Sequence, residues 1–409
     1  MPHLKVLICG GGCAGPALAL WLAHLGHRVT IVERYPALRA DGAQIDFREQ
    51  GIEVVKRMGL LETIKAHRVD EAGMAVVDSN GKVIATMLAN TSGKGAQTGT
   101  SEYEIMRGDL VRILYDATKD NVEYLFDKTV ERFEQDEETV LAHFSDGTSD
   151  IFDILVGADG QGSRIRKAIQ PKDAPDPYRH LGLHASYWFI PRMSTDNNIG
   201  RVYHPAEGRM VFRRTHNQKE TQVYFFMKDE SKEASLIHRG SVEQQKVFWA
   251  HRFRNAGWQT DRFIEGMKET ENFYSQEVVQ VQTKTWYKGR VVLLGDAAHC
   301  PSPFSAMGTT SSFVGAYVLA GEISRHSDDL SQAFANYDKT LRPFIDECHK
   351  IGLPMIKLIM PDTHWGVVIL HWIVWLLFFL RLPQLATRFS SEEKGGWPLP
   401  NYPELVLRQ

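Results

Sequence analysis

The sequence predicts an α/β fold: one domain assembled from separate stretches of chain, a β-rich insertion within it, and a helical C-terminal segment. Three observations carry this reading. The chain opens with an apolar run, a glycine turn and a helix-favouring stretch, followed by the β-branched run Arg28–Glu33. From Pro171 the texture changes to aromatic runs behind clustered prolines. At Arg290–Leu294 the opening texture returns.

The elements follow in order. Lys5–Cys9 is a short strand of the fully buried kind, and Pro16–His24 carries the Ala and Leu of a helix. Gln50–Met58 and Leu61–His67 have helical spacing, broken at Gly59-Leu60. Glu71–Leu88 alternates as antiparallel strands around a turn at Ser79-Asn80-Gly81. Thr91–Ser101 is a Gly/Ser/Thr loop, Asp109–Lys119 a helix and Asn121–Phe126 a strand. Thr139–Ser145 and Ser149–Val156 flank the turn Asp146-Gly147. Ala185–Ile190, Met210–Arg214 and Gln222–Met227 are aromatic strands, and a helix starts near Thr310. These place the main domain at 1–75, 101–170 and 288–350, the inserted one at 76–100 and 171–287, and the helical end at 351–409.

Composition bounds the function. Lys and Arg number 47 against 50 for Asp and Glu, so the net charge of −3 lacks the basic footprint of a nucleic-acid binder. Hydrophobic residues at 43% and charged ones at 24% exclude global disorder. The cysteines, Cys9, Cys13, Cys300 and Cys348, have neither disulfide-scaffold density nor zinc-site spacing. The first apolar run is too short for a secretory signal, so a cytoplasmic location is expected.

Three motifs carry the chemistry. Gly10-Gly11-Gly12-Cys13-Ala14-Gly15 satisfies GxGxxG between a strand and a helix. Gly10 permits the tight turn, Gly12 lets backbone approach a pyrophosphate, and Gly15 lets helix and strand pack closely. Glu33, about 20 residues on, is placed to bind a ribose diol. This motif alone leaves NAD and FAD open. The second is Asp153–Gly160, in which Asp159-Gly160 ends a buried strand and Ser163 and Arg166 follow. The third is Gly295-Asp296-Ala297-Ala298-His299, with Pro301, Pro303 and Gly308 before a helix. Asp296 is placed to accept hydrogen bonds from hydroxyls, and the helix N-terminus sets positive potential beside a flavin ring. His299 by itself is more often structural than catalytic.

In this order and spacing the motifs resemble the FAD-dependent aromatic hydroxylase family, which includes para-hydroxybenzoate hydroxylase and the flavin monooxygenases that inactivate tetracyclines. The resemblance spans most of the chain. It also takes in Glu33-Arg34, Glu104-Ile105-Met106-Arg107-Gly108-Asp109-Leu110, Gly42–Arg48 and Leu399-Pro400-Asn401-Tyr402-Pro403. It implies a Rossmann-type FAD-binding domain and an inserted β-sheet substrate domain. The FAD would be bound tightly and without a covalent link by Gly10, Gly12, Cys13, Ala14, Gly15, Glu33, Arg34, Asp46, Arg48, Arg107, Asp159, Asp296, Pro303, Gly308 and Thr309. The chemistry implied is single-component monooxygenation in secondary metabolism. NADPH would reduce FAD transiently, O₂ would form a flavin hydroperoxide, and one oxygen atom would pass to a small aromatic or polycyclic substrate.

The insertion would roof the flavin, with Tyr187, Phe189, Phe212, Arg213, Tyr224 and Phe226 toward substrate. Alternate strand residues face opposite ways, so about half of the aromatic set is packing. Arg213, His204 and His184 are the candidate polar or catalytic handles.

Two positions depart from the family pattern. Ala306 stands where relatives carry Gly; a Cβ at positive φ costs about 1 kcal/mol, so the loop is either shifted or has no need of positive φ. Gly315 stands where relatives carry an acid. Other readings are a flavin-dependent halogenase, suggested by Trp188-Phe189-Ile190-Pro191, a flavin oxidase or dehydrogenase, or a membrane-associated flavin protein without enzymatic activity.

The last expectation concerns Gly366–Leu380, fifteen residues in which His371 is the one strongly polar side chain. A spanning helix needs about 20 apolar residues. The expectation is a mainly buried helix capping the domain junction, with membrane association the alternative.

Overall fold

Runs of Val, Ile and Leu buried on both faces suit parallel strands, which helices cover on either side. Lys5–Cys9 pairs in parallel with Arg28–Val32 on one side and with Ile154–Gly157 on the other. The computed structural model describes residues 3–39, 42–89, 103–350, 353–380, 382 and 397–407. The expected loop Thr91–Ser101, and Arg381 and Pro383 beyond the apolar stretch, lie outside the described residues. The first sheet runs Tyr287–Lys288, Val291–Leu293, Ile154–Gly157, Lys5–Cys9, Arg28–Val32, Val122–Leu125. Only its first pair is antiparallel. The helices Ala14–His24 and Gly308–Arg325 pack together over it, the second buried for most of its length.

The larger sheet has seven strands, in the order Phe273–Val281, Tyr178–Pro191, Glu220–Lys228, Arg209–Thr215, Ile199–Tyr203, Gly73–Val77, Val83–Leu88. Gly73–Val77 and Val83–Leu88 pair antiparallel around the expected turn. A small ribbon, Gln44–Asp46 with Glu104–Met106, links the two sheets.

Along the aromatic strands exposure alternates. Trp188, Val223 and Phe225 are fully buried under helices, and Tyr187, Phe189 and Tyr224 are half-buried on the other face. The covering helices Lys232–Ile237, Val242–Phe253 and Thr260–Glu269 are elements of this β-rich region that sequence reasoning did not delineate. Ser241 and Gln244 form a capping box that starts the second of them.

Two further readings change. Ser149–Val156 is two strands in different sheets, parted at Asp153, whose Oδ2 accepts the Lys5 N–H at 2.6 Å. The stretch Gly366–Leu380 does form a helix, His364–Phe379, yet it is not mainly buried. Leu370 is its one buried residue, while Trp365, Trp372 and Phe379 are 79%, 65% and 67% exposed. The helix is apolar all round and rests on the terminal strand Val83–Leu88, so it covers a single stripe. No helix among the described residues is long and apolar enough to cross a membrane.

After it, Trp397–Leu407 returns to the first domain. Trp21 Nε1 donates to Leu405 O at 3.1 Å, and the buried Tyr402 hydroxyl donates to Glu322 at 2.6 Å.

Candidate functional site

Gly10 and Gly15 of the first motif each have a steric reason. Gly10 has φ +120°, and a Cβ there would fall 2.4 Å from Ala158 O; a Cβ on Gly15 would fall 2.2 Å from Gly10 O. The turn is thereby pressed onto the end of strand Ile154–Gly157 and onto its own helix. Glu33 closes it from the second strand, its Oε2 accepting the Gly11 N–H at 2.8 Å and its Oε1 the Tyr35 N–H at 3.1 Å. Arg34 lies outside, exposed and stacked on Tyr35.

The other motifs converge here. A Cβ on Gly12 would lie 3.4 Å from Arg107 Nη2, and one on Gly295 2.9 Å from Ala14 Cβ. Burial holds the half-buried Asp296 carboxyl above its usual range, against a hydrogen bond from Cys300 and the charge of Arg107. Burial likewise raises the Cys13 thiol, with Arg107 and Asp296 acting on it in opposite senses. Asp159 Oδ2 accepts the Arg164 N–H at 2.7 Å, and its Oδ1 is buried without a hydrogen-bond partner. Open backbone at Gly12, a guanidinium and two carboxylates from distant segments form a cradle that fits a dinucleotide.

The cradle continues toward the larger sheet. Asp46 pairs with Arg48 at 2.9 Å, and the Arg48 N–H donates to Thr310 Oγ1 at 2.9 Å, tying this loop to the start of helix Gly308–Arg325. Pro303, Gly308 and Thr309 precede or open that helix, whose positive end faces the junction. Ala306 has φ +55° and Ser302 φ +81°, so the loop does need positive φ and adopts it despite two side chains. Gly315 has its own reason: a Cβ there would lie 3.4 Å from His299 Nε2 and from Leu341.

Tyr187, Phe189, Phe212, Tyr224 and Phe226 share one face of the larger sheet. Tyr187 is 5.8 Å from Tyr224 and 5.3 Å from Tyr274 between ring centroids, and Tyr224 is 5.8 Å from Phe212. Phe226 meets Phe304 of the strained loop edge-to-face at 5.4 Å, which joins the aromatic face to the cradle.

The three polar candidates are not brought there. Arg213 follows Phe212 and so points to the opposite face, where it pairs with buried Asp196 at 2.9 Å. His184 is also on the helix side, bonded to His238 at 2.9 Å and to Asp229 O at 2.8 Å. His204 lies against His371 of the exposed helix, and burial lowers it to about 4. Trp188 donates to Phe263 O in the helix layer, so the halogenase-like run does not present it to the cradle. His299 lines a separate cavity of about 490 Å³ with Trp286, Arg342 and His349.

Sequence reasoning missed the polar groups that do reach this face. Arg214, not Arg213, points inward, its Nε meeting Glu71 at 3.0 Å and its Nη2 meeting Glu104 at 2.8 Å. Glu104 Oε2 is buried with no hydrogen-bond partner. Burial raises its carboxyl to about 7, Arg214 opposing and Glu71 and Asp46 adding. Beside it Gln222 donates to Gln44 Oε1 at 3.1 Å and accepts from the Tyr224 hydroxyl at 2.6 Å.

The pattern of the family described as "FAD binding domain" matches residues 3–340, a span that includes every segment of the cradle. The chain belongs to the FAD-dependent aromatic hydroxylase family. This FAD-dependent monooxygenase is 39% identical over 429 aligned positions to the FAD-dependent monooxygenase asL4 of Sarocladium schorii, over 99% of this chain and 100% of that protein. It is 38% identical to the flavin-dependent monooxygenase eupH of a Phoma species, over 90% of each. In structure the monooxygenase resembles the tetracycline destructase Tet(55), with a TM-score of 0.79 at 29% identity, over 98% of this chain and all of that one.

Proposed function

We propose that this monooxygenase is a single-component enzyme that takes reducing equivalents from NADPH and inserts one atom of O₂ into a small aromatic or polycyclic substrate. The observation that carries the proposal is the aromatic face Tyr187–Phe189–Phe212–Tyr224–Phe226 joined to the cofactor cradle through Phe226 and Phe304. Half-buried rings on a rigid sheet offer a flat apolar substrate a large contact area at little entropic cost. The cradle residues Gly10, Gly12, Gly15, Glu33, Arg107, Asp159 and Asp296 would hold the FAD tightly and non-covalently. Bound there, FAD supplies the redox and oxygen chemistry; the chain orients the partners and excludes water.

Arg48, half-buried beside Asp46, would meet the phosphates of the arriving reductant. The test is NADPH oxidation stimulated by candidate substrates under ¹⁸O₂, with product mass read in parallel. A stimulated rate and a labelled product are expected. Stimulated oxidation yielding an unlabelled, dehydrogenated product would assign the enzyme to the oxidases or dehydrogenases instead. Arg48→Ala should slow flavin reduction more than it weakens FAD binding, read by stopped-flow absorbance.

A further inference from the structure

The helix His364–Phe379 has two faces, and both are apolar. Gly366, Leu370, Val374 and Phe378, one turn apart, form the more protected stripe toward the protein. Trp365, Ile369, Trp372, Leu376 and Phe379 form the centre of the outward face, and Leu88 on the neighbouring strand extends it at 64% exposure. Soluble monomers rarely leave contiguous apolar patches of more than a few hundred Å² in water.

Three coverings are conceivable, and the residues discriminate among them. Segment 383–396 of the same chain has only Leu385, Ala386 and Phe389 as non-proline apolar residues, too few to mask ten exposed side chains. A second copy pairing helix to helix would need a narrow seam flanked by charges. Here the flanks Val368, Ile373, Trp375, Leu377 and Leu380 are apolar and exposed as well. The face is therefore wider than a helix seam. Its Trp residues suit the boundary between headgroups and acyl chains. The helix itself carries no Asp, Glu, Lys or Arg, so its insertion puts no formal charge into the apolar layer, and just outside it Asp362, Glu392 and Glu393 balance Arg381, Arg388 and Lys394. Sixteen helical residues at 1.5 Å each reach about 24 Å, too short to cross a bilayer but sufficient to lie along one.

We propose that helix His364–Phe379 docks this enzyme in plane on a lipid surface, its Trp-rich face inserted at the depth of the headgroup–acyl boundary. The docking concerns the exposed face of this helix and stands whether or not the substrate class proposed above holds.

The test is sedimentation of the FAD-loaded enzyme with phosphatidylcholine vesicles containing about one-fifth phosphatidylserine, with intrinsic Trp fluorescence read in vesicles of brominated phosphatidylcholine mixed with the same proportion of phosphatidylserine. Co-sedimentation and quenching are expected. Leu376→Ser/Phe379→Ser should weaken vesicle binding at least about tenfold. Bound flavin and circular dichroism should be unchanged in that variant, and Trp372→Ser should act in the same direction. Failure of the unmodified enzyme to sediment, or equal sedimentation of the variants, overturns the proposal. So does a concentration-dependent dimer in analytical ultracentrifugation that the substitutions abolish while vesicles remain unbound.

Discussion

At Ala306 the backbone takes φ +55° and ψ +17°, a left-handed geometry in which a Cβ costs about 1 kcal/mol. The preceding strained residue, Ser302, lies in a region close to glycine-only, and Phe304 between them touches the aromatic sheet. Ala306→Gly should therefore stabilise the folded enzyme, by up to about 1 kcal/mol less the entropy glycine loses on folding. Denaturant melts with flavin bound read the difference; a loss of stability would show that the left-handed turn is not what the loop requires. Asp296→Ala removes a carboxylate that interacts with Arg107 and Cys13 and should lower flavin occupancy, measured as the ratio of flavin to protein absorbance.

Glu104 offers a titration. With its carboxyl raised from 4.5 to about 7, the folded chain holds a proton that the unfolded chain releases. The stabilisation is complete below pH 4.5 and lost as pH rises through 7, on the order of 3 kcal/mol. Glu104→Gln should flatten the stability profile over that window in urea melts.

Among elements, what could be read from sequence was what local sterics dictate. Gly15 must be glycine because a Cβ would meet Gly10 O in its own turn, Gly10 takes a positive φ, and strands such as Lys5–Cys9 are buried on both sides, so the pattern and the structure agree there. Long-range pairing was less legible. The strands Gln44–Asp46 and Glu104–Met106 are three residues each, too short for any periodicity, and they meet only because the ribbon folds back between the sheets. Phe212 and Arg213, adjacent on one strand, could not both lie on the aromatic face; alternation alone favours Arg214 once Phe212 is accepted. The helices at 232–269 were legible but not read: Ser241 and Gln244 announce one of them, and Phe263, Ile264 and Met267 recur at helical spacing in another.

The exposed helix brings its own expectation at this scale. Leu376→Ser/Phe379→Ser touches side chains already 47% and 67% exposed, so the change in unfolding free energy should stay within about 0.5 kcal/mol. A larger loss in thermal melts would mean that these side chains are packed after all.

Across the whole molecule, buried histidines set the acid limit. His204 and His238 are lowered to about 4 and His299 to about 3, each chiefly by burial. All three are neutral in the folded chain above pH 6.5 and must stay so as the unfolded chain takes up protons. Their contribution is present above 6.5 and is lost as pH falls toward 4 and then 3, amounting to several kcal/mol together. Between pH 6.5 and 4 this opposes the Glu104 slope. The unfolding midpoint in urea should move down steeply below pH 6, and a flat profile would count against neutral burial of these rings.

The order of strands in the first sheet has a consequence in time. Lys5–Cys9 lies between Arg28–Val32 and Ile154–Gly157, the latter borders Val291–Leu293, and the first helix is fastened by Trp21 to Leu405. A chain emerging from the ribosome therefore holds its first strand without one lateral partner until some 150 residues have followed, and without its last fastening until nearly all have. Non-local pairing of this kind is slow and exposes unpaired edges meanwhile. Tyr178–Val281, by contrast, contains five of the seven strands of the larger sheet and the helices that cover it, in one uninterrupted stretch. Synthesis thus delivers the larger, aromatic-faced sheet nearly complete before the cofactor cradle can close.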